Sequence, residues 1–183
     1  MIDDRFKNQK GLINEAQMSK KVVVIGAGAI GSFYVMTLAK MGFSDITVFD
    51  DDTIEDHNIA NQLYPEAMIG MPKVDALKKV TFAFSGASIT AKNELWNEKS
   101  DITGDIIISA VDDMDVRARI WRHYEKDKDV QLYIDGRMGA QVFVAYSVDT
   151  KDEKEKAWYQ KSLYPQKEAT PDPCGEKSII FNV

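Results

Sequence analysis

The stretch Val22–Asp50 reads VVVIGAGAIGSFYVMTLAKMGFSDITVFD and is the most informative part of the chain. Its four apolar residues at 22–25 predict a strand that is buried on both faces, as in a parallel sheet. Glycines follow at positions 26, 28 and 31, and a helical pattern then leads into a second strand that ends at Asp50. This order predicts a β-α-β unit with a glycine-rich turn.

Each glycine of the turn has its own expected role. Gly26 permits the tight turn, Gly28 lets the backbone approach a phosphate, and Gly31 lets the helix pack closely on the strand. The unpaired amides at the start of the helix form an anion site. Asp50 lies 19 residues after Gly31, where it can accept hydrogen bonds from ribose hydroxyls. The stretch therefore predicts a nucleotide site; the alternative is a close-packing turn without a ligand.

Composition narrows the function classes. The net charge of −6 and the pI near 5.0 argue against a nucleic-acid binder. No apolar run approaches the roughly 18 residues that span a membrane, and the charged N-terminus is unlike a signal peptide. The single cysteine, Cys174, excludes a disulfide framework and a cysteine-rich zinc site within the chain. We expect a cytoplasmic protein with no zinc, nucleic-acid or membrane partner.

The rest of the chain alternates strands and helices. Strands are predicted at 88–92, 105–111, 130–135 and 141–148, helices at 73–84 and 113–128, and a turn at Gly136. The charge run at 151–156 predicts a solvated helix face. Together these elements predict a Rossmann-like α/β fold: a mostly parallel sheet flanked by helices, with antiparallel pairing toward the C-terminal end.

Two parts are expected along the chain. Residues 1–19 predict a polar, partly helical arm, and residues 20–183 predict the nucleotide-binding domain. The arm has a thin apolar face formed by Phe6, Leu12, Ile13 and Met18. The apolar run at 178–183 has no capping signal after it, so we expect the last element to be cut short.

A second pattern follows Asp50. Asp52, Asn58 and Gln62 form D-x-x-x-x-x-N-x-x-x-Q, and G-x-P-K then ends at Lys73. Farther on, Asp112 follows a buried strand in SAVDDMDVR. Because separated pieces occur in this order, the chain resembles the ThiF/MoeB/HesA family, the bacterial relatives of ubiquitin-activating enzymes. The resemblance runs from about residue 6 to residue 148.

The resemblance implies an ATP-dependent adenylyltransferase that works as a homodimer with Mg²⁺. Such an enzyme activates the C-terminal carboxylate of a small ubiquitin-like or sulfur-carrier protein as an acyl-adenylate, and in this chain the arm at 1–19 would contact the partner subunit. It also implies site residues. The glycine turn would line the phosphates and Asp50 would hold the ribose, Lys73 would contact the phosphates, and Asp112 would help to hold Mg²⁺. Asp52, Asn58 and Gln62 would lie near the ribose and phosphates.

These residue types suit the chemistry. A carboxylate that attacks the α-phosphorus meets a concentrated negative charge, so catalysis needs cations that interact more strongly as charge develops. Structural alternatives stay open: Lys73 as a solvated lysine at a helix start, and Asp112 as a helix N-cap that could still bind metal. For Asn58 and Gln62 the alternative is a role in a turn or cap.

Two residues depart from the family pattern. Asn8 and Asn61 stand where the family motifs R-Y-x-R-Q and N-x-x-R-Q have an arginine. Each lost guanidinium could remove roughly a few kcal/mol of transition-state stabilisation, for which Arg5, Lys7 or Arg137 would have to substitute. The departures favour a second hypothesis, a catalytically weakened nucleotide-binding module that docks a ubiquitin-like partner without activating it.

Two further hypotheses concern the cofactor and the cysteine. Asp50 permits an NAD-dependent oxidoreductase, but the polar string at 52–73 disfavours one. Cys174 falls where some relatives have the cysteine that accepts the activated protein as a thioester. The alternative for Cys174 is a buried structural cysteine.

Overall fold

The fold is built on one six-stranded sheet with the order β3-β2-β1-β4-β5-β6. A computed structural model describes residues 4–9, 11–100, 102–139 and 142–169. The strands are β1 (Lys21–Ile25), β2 (Asp45–Phe49), β3 (Thr90–Lys92), β4 (Ile106–Ser109), β5 (Leu132–Gly139) and β6 (Val142–Asp149). The first five strands run parallel, and β6 pairs antiparallel with β5. The predicted mostly parallel sheet with an antiparallel strand at its C-terminal end is confirmed.

Helices cover both faces of the sheet. The α-helices are α1 (Glu15–Met18), α2 (Gly31–Met41), α3 (Lys73–Ser85), α4 (Met114–Tyr124) and α5 (Glu153–Gln160). Short 3₁₀ helices span Asp4–Gln9, Asp56–Asn58, Glu66–Met68 and Gln166–Glu168. Successive residues of β1 point to opposite faces, so Val22 and Val24 pack in one apolar cluster while Val23 and Ile25 pack in the other. This double burial explains the uninterrupted apolar run in the sequence.

The strand order places a crevice at the carboxyl ends of β1 and β4. The chain leaves β1 for β2 and β3 on one side, and then crosses to β4 and β5 on the other. In parallel sheets such a reversal of strand order is where ligands bind. The glycine turn follows β1 directly, so it lies at this crevice.

The predicted turn at Gly136 is wrong. Gly136 lies inside β5 and pairs with Ala145 of β6, and β5 continues to Gly139. A Cβ at Gly136 would lie 2.7 Å from Cγ2 of Ile30, just before α2. This position therefore needs glycine because the start of α2 approaches the sheet closely, and the sequence pattern alone does not separate that need from a turn.

The predicted bounds of the helix at 113–128 and its cap are also corrected. The helix begins at Met114 because Asp113 is the N-cap, and the Asp113 carboxylate accepts a hydrogen bond from the Val116 amide at 2.8 Å. Asp112 is therefore not the N-cap. The helix ends at Tyr124, since the following EKDKD supplies no apolar side chain that could pack on the sheet.

The described residues of the arm form the first 3₁₀ helix and α1, and they pack against the core of the sheet. Ile13 and Met18 are buried in the core, and Phe6 packs against it, whereas Leu12 is 86% exposed. The Gln9 side-chain amide donates a hydrogen bond to the carbonyl of Met41 at 2.6 Å. The arm thus packs at the C-terminal end of α2.

Residues 153–156 of the charge run begin α5, whose residues are mostly exposed, as predicted. Within the described parts of the chain, no helix is both long and apolar enough to cross a bilayer. Residues 170–183 are not among the described residues, so the predictions for Cys174 and for the apolar run at 178–183 are not tested by the fold.

Gly31→Ala should destabilise the fold. A Cβ at Gly31 would lie 1.8 Å from the carbonyl oxygen of Gly26, and this oxygen belongs to the backbone and cannot simply rotate away. We expect the free energy of unfolding to fall by about 1–3 kcal/mol in urea titrations. Gly28→Ala is the matched control because its Cβ would have no neighbour within 4 Å. Equal losses in the two variants would contradict this packing role for Gly31.

Candidate functional site

The glycine turn has the geometry of an anion cradle. Gly26 adopts a φ of +98°, which strongly favours glycine, and a Cβ there would lie 2.7 Å from the carbonyl oxygen of Ala110 after β4. Ile30, the N-cap of α2, provides no side-chain hydrogen bond to the helix. Among the described residues, the amide of Gly28 donates no hydrogen bond. Backbone amides at this helix start are therefore available to an anion.

Asp50 connects the turn to the loop that follows β2. Its Oδ2 accepts a hydrogen bond from the Ala27 amide at 2.7 Å, and its Oδ1 accepts one from the Asp52 amide at 2.9 Å. Burial raises the pKa of the Asp50 carboxyl, whereas the two amides and the Lys73 ammonium act in the opposite direction. Because a carboxylate oxygen can accept two hydrogen bonds, Asp50 keeps acceptor capacity for a ligand hydroxyl.

Lys73 is buried, not solvated, so the structural alternative of an exposed lysine is wrong. It is the first residue of α3, and its side chain is 8% exposed. Its Nζ lies 2.7 Å from Oδ2 of Asp52, and its backbone amide donates to the Asp52 carbonyl at 2.9 Å. The loop between the two residues thus holds a buried ammonium beside an exposed carboxylate.

One cleft of about 1210 Å³ brings most of the predicted site residues together. Its wall includes Gly26, Gly28, Asp50, Asp52, Gln62, Lys73 and Asp112. Asn61, one of the two departures from the family pattern, lines the same cleft. The cleft therefore contains the turn, the acidic loop and the strand end that the sequence analysis treats as separate pieces.

Of the predicted site residues that the structure describes, three lie outside the cleft wall. Gly31 packs behind the turn, and Asn58 is buried in a 3₁₀ helix where its side-chain oxygen accepts from the Glu55 amide at 2.9 Å. The structure thus places Asn58 in the turn role that was its structural alternative. Arg5 donates to the Ser85 carbonyl at 2.9 Å. Ser85 ends the 13-residue helix α3, roughly 18 Å from Lys73 at 1.5 Å per residue.

The cleft fits a phosphate-bearing nucleotide together with a hard cation. The side-chain oxygen of Gln62 is buried with no hydrogen-bond partner among the described residues, and the space over Gly28 is open. Asp51, Asp52 and Asp112 are exposed carboxylates in the cleft wall. Carboxylate oxygens beside phosphates are the ligands that Mg²⁺ prefers.

The cleft wall also includes Arg137, Tyr146 and Ser162, and of these only Arg137 is assigned a possible role from the sequence. The Arg137 side chain donates to Oδ2 of Asp135 at 2.7 Å and to the Ser162 carbonyl at 2.8 Å, and its guanidinium lies 4.4 Å from the centroid of the Tyr146 ring. Asp135 also forms a buried ion pair with Arg117. No local motif marks this cluster because β5, β6, α4 and the residues after α5 must first come together.

Gly28→Ala should weaken nucleotide binding without destabilising the fold. Its added methyl would project into open space at the turn, where a phosphate would approach the backbone. We expect the affinity for ATP to fall about tenfold or more in calorimetry, while the midpoint of thermal unfolding stays within error. Unchanged affinity for ATP would contradict a phosphate position at this turn.

Comparison with known proteins identifies the family. A family model described as "ThiF family" matches residues 9–175. Molybdopterin-synthase adenylyltransferase of Salmonella typhimurium is 29% identical over 112 residues, which are 58% of this chain and 45% of that protein. The SAMP-activating enzyme E1 of Haloferax volcanii is 27% identical over 106 residues, or 55% of this chain and 39% of that protein. The chain spans less than half the length of these relatives.

A solved structure supports the same fold. The E. coli tRNA N6-threonylcarbamoyladenosine dehydratase TcdA in complex with ATP has a TM-score of 0.68 and 20% identity to this chain. The match covers 78% of this chain and 64% of that one. This likeness concerns the fold alone, whereas the family model covers nearly all of the 183 residues. The chain belongs to the ThiF family.

Proposed function

We propose that the chain binds ATP in the cleft and activates the C-terminal carboxylate of a small ubiquitin-like or sulfur-carrier protein. The product is an acyl-adenylate, and pyrophosphate leaves. One observation carries the proposal: the buried ammonium of Lys73 lines the same cleft as the glycine turn, Asp50 and Asp112. Relatives named as adenylyltransferases support this kind of reaction.

The residues have complementary roles in this reaction. A carboxylate oxygen of the carrier attacks the α-phosphorus, and the bond from that phosphorus to the bridging oxygen of the β-phosphate breaks. Gly28 and its neighbours hold the phosphates through backbone amides, and Asp50 accepts from the ribose hydroxyls. No proton transfer is needed, so a histidine base is not required.

Lys73 supplies positive charge where the phosphates gain negative charge. Its ammonium has three donors, so it can keep Asp52 and still donate to a phosphate oxygen. Its burial strengthens this interaction because water competes little at that position. When bound, Mg²⁺ would neutralise phosphate charge, and Asp112 would hold it with the phosphate oxygens.

We also propose that the tail of the carrier protein enters the cleft beside β6. Val142 and Val144 of β6 line the cleft and are 61% and 38% exposed, so the cleft has an apolar border beside its charged floor. A protein tail that ends in small residues fits such a border. The homodimer, with its contact through the arm, and the cytoplasmic location are part of the same proposal and rest on the family resemblance.

A weakened binding module is the second candidate. Asn61 lines the cleft in place of the family arginine, and Asn8 is exposed in the first 3₁₀ helix. Arg137 also lines the cleft, but its guanidinium already contacts Asp135 and Ser162. Calorimetry separates the nucleotide classes: tighter binding of NAD than of ATP would contradict both candidates.

Asn61→Arg tests whether the departure limits catalysis. The new guanidinium would add a charge-assisted donor beside the phosphates, so we expect ATP–pyrophosphate exchange to rise about tenfold. Asn97→Arg is the control because Asn97 is exposed and does not line the cleft. A rise limited to Asn61→Arg supports weakened catalysis, whereas equal rates in all three proteins would show that Asn61 does not limit it.

A further inference from the structure

Two hydrogen bonds join Leu63 and Tyr64 to the glycine turn and to the first turn of α2. The Tyr64 hydroxyl donates to the carbonyl oxygen of Ala27 at 2.6 Å, and the Leu63 amide donates to Oγ of Ser32 at 3.2 Å. Tyr64 is 4% exposed and Ser32 is fully buried. The loop after β2 therefore contacts the peptide between Ala27 and Gly28, at the start of the phosphate cradle.

This contact fixes the direction of one backbone amide. In a planar trans peptide the C=O and the following N–H point in opposite directions, and the described chain has no cis peptide. Because the Tyr64 hydroxyl donates to the Ala27 carbonyl, the Gly28 N–H points away from Tyr64. Gly28 lines the cleft, and Tyr64 does not.

The orientation of this peptide depends on such a bond. Gly28 has no Cβ to restrict rotation, and nothing would crowd one within 4 Å, so the local backbone alone sets the peptide only weakly. On the other side of Ala27, its amide is held by Asp50 at 2.7 Å. The residue before the cradle is thus held at both its N–H and its C=O.

The tyrosine hydroxyl is suited to this task. Burial, and next the carboxylates of Asp50 and Asp52, raise the pKa of Tyr64, so the hydroxyl stays a donor at neutral and mildly basic pH. A phenylalanine would preserve the ring in the core but would leave the Ala27 carbonyl buried without this partner.

We propose that Tyr64 is a positioning residue that directs the Gly28 N–H at the nucleotide phosphates. The inference rests on one part of the proposed function, the binding of a phosphate-bearing nucleotide in the cleft. It requires neither catalysis nor a carrier protein. It assigns a role to a side chain that lies outside the cleft wall and acts through the backbone.

Tyr64→Phe tests the inference with AMP and adenosine as probes. We expect AMP to bind about tenfold more weakly and adenosine to bind as in the wild-type chain, so the preference for AMP over adenosine falls about tenfold. Both affinities are measured by competition calorimetry against ATP. A merely structural role would weaken both ligands alike or neither.

Tyr124→Phe is the matched control. The Tyr124 hydroxyl is also buried and donates to a backbone carbonyl, that of Ile102, at 2.7 Å, and Tyr124 does not line the cleft. The hydroxyl also accepts from Nε1 of Trp96 at 3.1 Å, so its loss should lower the unfolding midpoint at least as much as Tyr64→Phe and leave the preference for AMP unchanged. An equal preference in Tyr64→Phe and the wild-type chain would overturn the inference.

The outcomes also separate this inference from the proposed function. If Tyr64→Phe loses the preference while the wild-type chain shows no pyrophosphate exchange, the positioning role stands and adenylyl transfer fails. If exchange proceeds and the preference is unchanged in the variant, only the positioning role fails. A wild-type chain that binds adenosine as tightly as AMP would overturn the positioning role, and exchange alone would then decide the proposed function.

Discussion

Lys73→Ala should lower ATP–pyrophosphate exchange by about 100- to 1000-fold, the usual cost of removing one preorganised donor from a developing charge. The buried ammonium lies in the cleft with the glycine turn, and its partner Asp52 would remain as an unbalanced carboxylate beside the phosphates. Both effects oppose the accumulation of negative charge on the phosphates. The rate of exchange is measured at saturating ATP with the carrier protein present.

Lys79→Ala is the control for that loss. Lys79 lies on the same helix but is exposed and does not line the cleft. Its removal therefore changes the net charge by the same amount as Lys73→Ala and leaves the cleft intact. Exchange should be unaffected in this variant. If the two variants lost similar activity, the effect would be one of overall charge, and the assigned role of Lys73 would be wrong.

Asp135→Asn should cost about 3–5 kcal/mol of unfolding free energy, the range for breaking a buried ion pair. Asp135 is fully buried, forms ion pairs with Arg117 and Arg137, and accepts from the Tyr159 hydroxyl at 2.9 Å. Arg117 is itself only 3% exposed, so the variant would leave a buried guanidinium without its counter-charge. Chemical denaturation measures the change.

Glu98→Gln is the matched test of burial. Glu98 forms a two-point pair with Arg119 at 2.9 and 3.0 Å, but both side chains are nearly half exposed. Water and salt screen this pair, so we expect no measurable change in the denaturation midpoint. A loss as large as that of Asp135→Asn would mean that ion-pair geometry, and not burial, sets the cost.

Local patterns were sufficient to predict much of the sheet and part of the site. The apolar run at 22–25 is buried on both faces, as a central parallel strand requires, and Asp50 follows the neighbouring strand beside the turn. These features depend on the spacing of residues within about 30 positions of one another, and at that range periodicity and motifs predict secondary structure and the glycine turn. The burial of Lys73 was not predictable in this way, because G-x-P-K also fits an exposed helix start.

Features that depend on contacts between distant parts of the chain do not follow from local sequence patterns. The sequence pattern predicts a turn at Gly136, whereas the close approach of Ile30 is what requires glycine there. Tyr64 has no motif of its own, and its contact with Ala27 joins residues 37 positions apart. The cluster around Asp135 depends on packing among β5, α4 and the residues after α5. Such roles appear only when the fold supplies the neighbours.

ATP–pyrophosphate exchange with a small ubiquitin-like protein ending in Gly-Gly tests adenylyl transfer most directly. With ATP and Mg²⁺ present, the chain is predicted to incorporate labelled pyrophosphate into ATP, and the signal should return to background without the carrier or in Asp112→Asn. Calorimetric binding of ATP, combined with exchange at background for each carrier tested, would contradict adenylyl transfer and leave the weakened binding module.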